Sequence, residues 1–404
     1  MKKIKLHWQI LIAFVLAVLY GIFLKDYVHY VSWMGDLCLR ALMMVIVPLI
    51  LSSIISGMTN IGSGENLGRI GLKTMLYYLS TSIFAILTGL VLVNLIQPGV
   101  GADLGFAKEV EGLAEARESF GETLLYIIPK NIFESFSQGN MLSVIFFAII
   151  FGFFITRVPD KHRIFLTDLA NSVFEVMMKL TMFVIRFAPL LVFGIVAQKV
   201  AEIPDLVDTF LRLLTYMLAV LMGLLLHSTI TLPLIVKVIG RVSPLKHFKA
   251  MSTPLLTAFS TSSSNATLPL TMEAVENNSG VSNKITSFTL PLGATVNMDG
   301  TALYECVAAM FIAQAYGVEL SFIQQIVVVF TALLASIGAA GIPMAGLVMM
   351  TVILSSVGLP LEGVGLILAV DRILDMCRTT VNVWSDSCGA VVIARTEGEK
   401  LKIE

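Results

Sequence analysis

The sequence predicts an all-α polytopic membrane protein whose last third is built from interrupted, re-entrant helical segments. Three observations carry that reading. Of 404 residues, 56% are apolar and only 14% are charged, where a soluble globular protein carries about 25% charged residues. So thin a charged shell cannot cover a water-facing surface of this size, and much of the chain must face lipid. Apolar runs close to the roughly 20 residues that a helix needs to cross the hydrocarbon core recur along the chain. Beyond about residue 250 these runs are broken by small polar residues, glycine and proline.

The first run, about residues 8–25, follows Lys2, Lys3 and Lys5. No small-x-small cleavage site closes it, so it reads as a first membrane helix and not as a signal peptide. Further runs lie near 37–58, 74–97, 141–156, 173–198 and 211–239. Basic residues gather between alternate runs: the N-terminal lysines, then Arg69 and Lys73, then Arg157, Lys161 and Arg163, then Lys237, Arg241, Lys246 and Lys249. The positive-inside rule places these in the cytoplasm. The acidic stretch 98–122, with Asp103, Glu109, Glu111, Glu115, Glu118 and Glu122, falls on the opposite side, as do Glu202, Asp205 and Asp208. Six crossings fit this alternation.

After residue 250 three segments depart from a lipid-facing pattern. These are Ser260 to Pro269, Asn297-Met298-Asp299-Gly300-Thr301, and Gly338 to Gly346. Irregular backbone at membrane depth survives only where protein or a water-filled cavity satisfies its N–H and C=O groups. They are therefore expected to be two re-entrant hairpins and a broken helix. Thr253-Pro254-Leu255-Leu256 leads into the first hairpin and Thr331-Ala332-Leu333-Leu334 into the second, and each hairpin precedes a span carrying Asn and Asp. Paired interruptions of this kind point to inverted repeats.

The last span carries Asp371, Asp375, Arg378, Asn382 and Asp386. At 3.6 residues per turn these fall within a sector about 80° wide. Each ionised residue at mid-bilayer costs roughly 2.5–3.5 kcal/mol, so four cost about 10 kcal/mol unless they face a polar interior. An Asp375–Arg378 ion pair that only holds helices together is the blander account. Three aspartates against one arginine leave excess negative charge, however, and Asp299 and Glu305 add to it. Buried carboxylates either bind cations or take up protons. With unwound backbone carbonyls, Asp299 and Asp386 make oxygen ligand sets suited to sodium, which oxygen ligands alone do not distinguish from potassium or a proton. Arg378 offers a fork that matches a carboxylate, and Asp375 an acceptor for an ammonium. Together with hairpin N–H groups they describe a site for an acidic amino acid.

Other chemistries lack support. A net charge of −1 with no basic concentration argues against nucleic acid. Cys38, Cys306, Cys377 and Cys388 are dispersed, so neither a disulfide framework nor a zinc site is readable. The segment Gly68-Arg69-Ile70-Gly71-Leu72-Lys73-Thr74 lacks the glycine that precedes the lysine of a phosphate loop. An intramembrane hydrolase would need a G-x-S-x-G elbow or an H-E-x-x-H pair, and neither is present. The five histidines share no spacing, the 20 methionines read as packing, and the Asn265-Ala266-Thr267 sequon is accidental within a hairpin. A channel or receptor that binds the same ligand without moving it stays open.

Thr261 to Pro269, Asn297 to Thr301, Gly341-Ile342-Pro343-Met344-Ala345-Gly346 and Asp375 to Val383 together resemble the glutamate/aspartate transporter family, the dicarboxylate/amino acid:cation symporters, as in a prokaryotic member. The similarity runs over essentially the whole chain. It implies eight transmembrane helices plus two re-entrant helical hairpins as inverted repeats, a likeness to homotrimers of the plasma (inner) membrane with both termini cytoplasmic, and an elevator motion. On the family pattern, 1–70 is scaffold (first two helices) and 71–100 transport domain (third helix). Residues 101–202 are an extracellular acidic loop and scaffold (fourth and fifth helices). Residues 203–404 are transport domain, with the sixth helix, first hairpin, seventh helix, second hairpin and eighth helix.

Carried over by resemblance, Arg378 with Thr301 receives a substrate side-chain carboxylate and Asp375 with Thr379 an amino group. Asn382 and the Ser263–Ser264 backbone hold the α-carboxylate, with Gly346 in the second hairpin. One sodium site is implied at Asp386, Asn382, Asn297 and Gly293. A second is implied at Asp299 and Asn297 with Tyr78, Thr81 and Ser82, of which the last three carry no signal of their own. A third is implied at Thr295, Met298, Ser336, Ile337 and Ala339. Ser262 and Met376 stand where archaeal and animal relatives respectively carry arginine, and Met344 replaces a common glycine. Glu305 matches the glutamate that animal members use for proton and potassium coupling, which makes it a candidate proton site. The resemblance implies sodium-driven uptake of aspartate or glutamate, with H+ as a further coupling ion. Proton-coupled dicarboxylate or glutamate uptake and neutral amino acid exchange are the alternatives.

Overall fold

The computed structural model describes residues 6–60, 65–101, 128–138, 141–202, 206–338 and 345–404. All regular elements among them are helical. The first three are α1 (Leu6–Phe23), α2 (His29–Asn60) and α3 (Glu65–Ile96). Four follow the next gap: α4 (Ile132–Gln138), α5 (Met141–Ile155), α6 (Asp160–Ile185) and α7 (Ala188–Glu202). Helix α8 (Leu206–Leu226) runs through a π turn at His227–Thr231 into α9 (Leu232–Val238), and α10 (Pro244–Ala250) follows. Then come α11 (Ser252–Thr261), α12 (Ser264–Ala274), α13 (Asn283–Val296) and α14 (Asp299–Ala315). The chain closes with α15 (Phe322–Gly338), α16 (Ala345–Ser356) and the 33-residue α17 (Val364–Thr396).

Arg69–Ile96 and Val207–Val238 are long and apolar enough to cross a membrane, and shorter apolar stretches lie in α1, α2, α5, α7 and α15. The surface of α3 shows what these helices face. Leu72, Leu76, Phe84, Leu87, Val91 and Leu95 are exposed, while Thr74, Thr81 and Ser82 are buried. A helix with apolar residues outward and hydroxyls inward is built for a solvent less polar than its own interior.

One expected span is corrected. The apolar run 173–198 is not a single helix: α6 ends at Ile185 and α7 starts at Ala188. Pro189 has no N–H to continue the ladder and its ring clashes with the preceding turn, which is tolerated only near a helix start. Hydropathy reads through such a break because the residues on both sides are equally apolar. Most of the acidic stretch 98–122 lies outside the described residues, as does the second hairpin tip at 339–344.

The first helix pair and the helix break are seen in the described residues, as are the two arms that flank the undescribed second tip. Helices α11 and α12 pack on each other, as do α15 and α16. The first pair is joined at Ser262, whose left-handed φ of 52° turns the chain, and Ser263, whose hydroxyl accepts from Ala266 N at 3.2 Å to cap α12. Between α13 and α14 the chain leaves helical geometry at Asn297 (φ −96°, ψ 83°) and Met298 (φ −112°, ψ 53°).

Packing divides the described residues into two apolar cores. The first holds residues of α1, α2, α5, α6, α7, α8, α14, α15 and α16; the second holds residues of α9, α11, α12 and α13. Helices α3 and α17 pass through both. On α3, Tyr77 and Tyr78 belong to one core and Ala85 and Ile86 to the other, with Thr81 and Ser82 between them. On α17, Val381 and Trp384 belong to different cores and Asn382, Ser385 and Asp386 lie at the seam. The break at Asn297–Met298 lies at the same level. The polar layer therefore sits where three chain segments cross between two oily halves.

At one end a charged clasp ties α3 to α17. Glu397, just past α17, pairs with Arg69 and with Lys73 at 2.6 Å. Lys73 also donates to the Thr396 carbonyl at 3.0 Å, which suits a cation at a helix C-terminus. The hydrogen bonds from Lys73 and then Arg69 hold the Glu397 carboxyl below the usual carboxylate range. A depressed acid adds stability above its unfolded value and loses it as pH falls through the folded one. Glu397→Gln should therefore lower the unfolding midpoint at neutral pH by about 1–2 °C. That difference should shrink as pH falls below the usual carboxylate value of about 4.3 and vanish once pH is below the depressed folded one; a pH-independent difference in thermal scans contradicts the clasp.

Candidate functional site

The broken helix supplies the first part of the site. Asn297 N closes α13 on Gly293 O at 2.9 Å, and Ala302 N opens α14 on Met298 O at 2.8 Å. The Asn297 side chain is buried at this break; its Nδ2 donates to Asp386 Oδ1 at 2.9 Å and to Ser385 Oγ at 3.0 Å. Gly293 lies against the same carboxylate: a Cβ there would stand 2.5 Å from Asp386 Oδ1 and 2.7 Å from the Tyr78 hydroxyl oxygen. Of the residues expected at the first cation site, Asp386, Asn297 and Gly293 are thus together. Asn382 turns its amide instead toward α14. Its Oδ1 accepts from Gly300 N at 2.8 Å and its Nδ2 donates to Thr301 Oγ1 at 3.1 Å.

The expected second site converges on Asp299, which is fully buried. Asp299 Oδ1 accepts from Ser82 Oγ at 2.7 Å and Thr81 Oγ1 at 3.3 Å, and Thr81 also reaches Asn297 Oδ1 at 3.4 Å. Asp299 Oδ2 accepts from Ser385 Oγ at 2.6 Å and pairs with His227 Nε2 at 3.1 Å. Tyr78 is adjacent, but its hydroxyl donates to the Thr289 carbonyl at 2.8 Å. Around two carboxylates the structure sets hydroxyl and amide groups, oxygen chemistry suited to an alkali cation and not to a soft metal.

The third expected set is described only in part. Thr295 and Ile337 line a cavity of about 310 Å³ with Ser53, Ser56 and Gly57 of α2. The Ser336 hydroxyl is turned back onto the Leu333 carbonyl at 2.8 Å. Met298 Sδ faces Asn382 Nδ2 at 3.4 Å. Ala339 lies outside the described residues.

Arg378 forms the other half of the site. Arg378 is 1% exposed, and its guanidinium is held on two sides. Nε donates to Asp375 Oδ1 at 3.0 Å, Nη2 approaches the same oxygen at 2.8 Å, and Nη1 donates to Asp371 Oδ1 at 3.1 Å. Its Cζ stands 4.3 Å from the centre of the Tyr304 ring, within cation–π range. A Cβ on Gly346 would lie 2.9 Å from Nη1, so the start of α16 rests on the guanidinium. Asp375 Oδ2 is also 3.6 Å from Arg372 Nη1. Thr301 and Thr379 are buried on the facing helices. Ser263 and Ser264 are buried at the turn between α11 and α12, both of which pack on α17. Glu305, one turn beyond Thr301, is wholly buried, and neither carboxylate oxygen has a partner among the described residues.

Sequence reasoning missed His227 and Ser385 and gave Asp371 no role. Ser385 precedes Asp386 directly and was within reach of inspection. His227 stands alone in an apolar helix, and only its contact with α14, 72 positions along the chain, distinguishes it.

A family model described as the sodium:dicarboxylate symporter family matches residues 6–396. The proton/glutamate-aspartate symporter of Escherichia coli (strain K12) is 36% identical over 420 residues, spanning 98% of this chain and 94% of the relative. Human excitatory amino acid transporter 3 is 37% identical over 460 residues, spanning 99% and 87%. The proton/sodium-glutamate symport protein of Geobacillus stearothermophilus is 34% identical over 409 residues, spanning 99% and 96%.

The closeness of α14 to α17 yields a stability test. A Cβ on Gly300 would lie 2.6 Å from the Arg378 carbonyl oxygen, a backbone atom that cannot rotate away. Gly300→Ala should destabilise by about 1–3 kcal/mol and lower the unfolding midpoint in detergent. An unchanged midpoint would show that the two helices are not in contact.

Proposed function

From the premise that the chain belongs to the sodium:dicarboxylate symporter family, we propose that it takes up aspartate or glutamate driven by a sodium gradient through an elevator motion. As a member of a symporter family it is a membrane transporter and not an enzyme. One observation carries the finer reading: Asp299 and Asp386 are buried together among hydroxyls and amides, and no lysine or arginine pairs with either among the described residues. Such carboxylates call for a small cation, and a cation there compensates charge that the apolar halves cannot.

The substrate reading rests on Arg378. An acidic amino acid brings a carboxylate to the guanidinium and an ammonium to Asp375, replacing like for like within the triad of Asp371, Arg378 and Asp375. Ser263, Ser264, Thr301, Gly346, Thr379 and Asn382 complete the proposed pocket. Residues 1–70 and 101–202 are proposed as scaffold and 71–100 and 203–404 as the moving domain, in a homotrimer with both termini cytoplasmic. The packing of α1 on α7, and of α2 on α5, α6 and α7, supports that division. Thr295, Met298, Ser336, Ile337 and Ala339 are retained as a third sodium site that forms when the hairpin closes.

A second reading, proton coupling, is favoured by Glu305. Two relatives carry proton in their names, one of them together with sodium. A carboxyl group buried without a partner costs far less as the neutral acid than as the anion.

The test is uptake of labelled aspartate into sealed proteoliposomes with sodium, proton and potassium gradients imposed one at a time. Accumulation driven by inward sodium is expected; none under that gradient, or accumulation under a proton gradient alone, overturns sodium coupling. Arg378→Thr should weaken aspartate binding by 100-fold or more, an order set by losing a charge-assisted bidentate contact. Unchanged affinity would remove Arg378 from the substrate site. If Glu305 carries a proton, Glu305→Gln flattens the pH profile of uptake, and a retained profile excludes it.

A further inference from the structure

Helix α8 changes its winding at His227–Thr231, where a π turn inserts one residue. In an α-helix the Leu232 N–H would bond to the Ser228 carbonyl; here it bonds to His227 O. The Ser228 carbonyl is thereby released, and Trp384 Nε1 of α17 donates to it at 3.1 Å. The same winding directs His227 inward, where it is fully buried and meets Asp299 Oδ2 at 3.1 Å. π turns cost helix geometry and recur at functional sites.

A second histidine shows what a packing role looks like. His247 is equally buried, and both ring nitrogens are satisfied, Nδ1 by Ser279 Oγ at 2.9 Å and Nε2 by Ser387 Oγ at 3.2 Å. His227 has one polar contact only, and its Nδ1 is without a partner among the described residues. A carboxylate accepts and does not donate, so Nε2 carries a proton and donates it to Asp299 Oδ2. Ser385 donates to the same oxygen, Oδ2. The other oxygen, Oδ1, is thus left to face Thr81 and Ser82 on α3.

We propose that His227 is a positioning residue for the cation site at Asp299: its Nε2–H fixes the carboxylate so that Oδ1 stays directed at the α3 hydroxyls. The inference rests on the reading of Asp299 as a sodium ligand. Partners that orient a metal-ligating carboxylate are worth about 10–100-fold in metal affinity.

The test is aspartate binding to purified, full-length protein across a sodium titration, with choline holding ionic strength, for the parent and for Asp299→Asn, His227→Ala, His227→Gln and His227→Asn. His227→Ala should raise the half-saturating sodium concentration by about tenfold or more and leave aspartate affinity at saturating sodium unchanged. His227→Gln, which keeps an N–H at similar reach, should restore the parent curve, and the shorter His227→Asn should not. If Asp299→Asn shifts the sodium curve and His227→Ala does not, the inference falls while the sodium reading stands. If Asp299→Asn shifts nothing, the sodium reading falls and takes the inference with it. Equal loss of aspartate affinity at saturating sodium marks general damage and overturns the positioning role. Should His227→Ala not fold, the Gln and Asn variants decide: only Gln behaving as parent supports it, and identical behaviour of the two overturns it.

Discussion

Two carboxylates, Asp299 and Asp386, sit fully or almost fully buried at a seam between two apolar cores, and the remaining polar architecture follows from the need to accommodate them. An isolated ion in such surroundings is costly enough that hydrogen bonds alone do not offset it. The chain meets part of that cost with hydroxyls from α3, the Asn297 amide at a broken helix, Ser385 on α17 and His227 on a π turn. None of these partners is a lysine or an arginine. The negative charge is oriented and left in place, which is the condition for drawing in a cation from outside.

Arg378 shows the complementary design. Its charge is matched by Asp371 and Asp375, so the arginine does not stand as a free buried cation. Asp375 also lies 3.6 Å from Arg372 Nη1, and the proposed substrate, which brings both a carboxylate and an ammonium, would exchange partners within this group. Asn382 links the two halves, since one amide holds Gly300 N and Thr301 Oγ1 of α14 from a helix that also carries Arg378 and Asp386. The proposed cation and substrate sites therefore share a helix break and a helix face, which gives a physical route for one occupant to favour the other.

Much of this was legible in the sequence because periodicity and interruption are local signals. The stripe from Asp371 to Asp386, the break at Asn297 to Thr301 and the serine turn near Ser262 could each be read from a few neighbouring residues. What escaped was set by contacts between distant segments. His227 looks like any lone histidine in an apolar helix until α14 brings Asp299 against it, and Thr81 and Ser82 look like an ordinary buried helix surface. The break before Ala188 escaped for a different reason, since hydropathy averages over a proline that backbone geometry does not ignore. The third cation set was implied by resemblance alone, and Ala339 of that set lies outside the described residues.

The central claim is that buried negative charge awaits a cation and an acidic guest that bind together. Calorimetric titration of aspartate into the purified protein, in sodium chloride and in choline chloride at equal ionic strength, measures that coupling directly. Saturable binding in sodium with affinity weakened by about a hundredfold in choline is the predicted result. Equal affinity in the two salts contradicts the account.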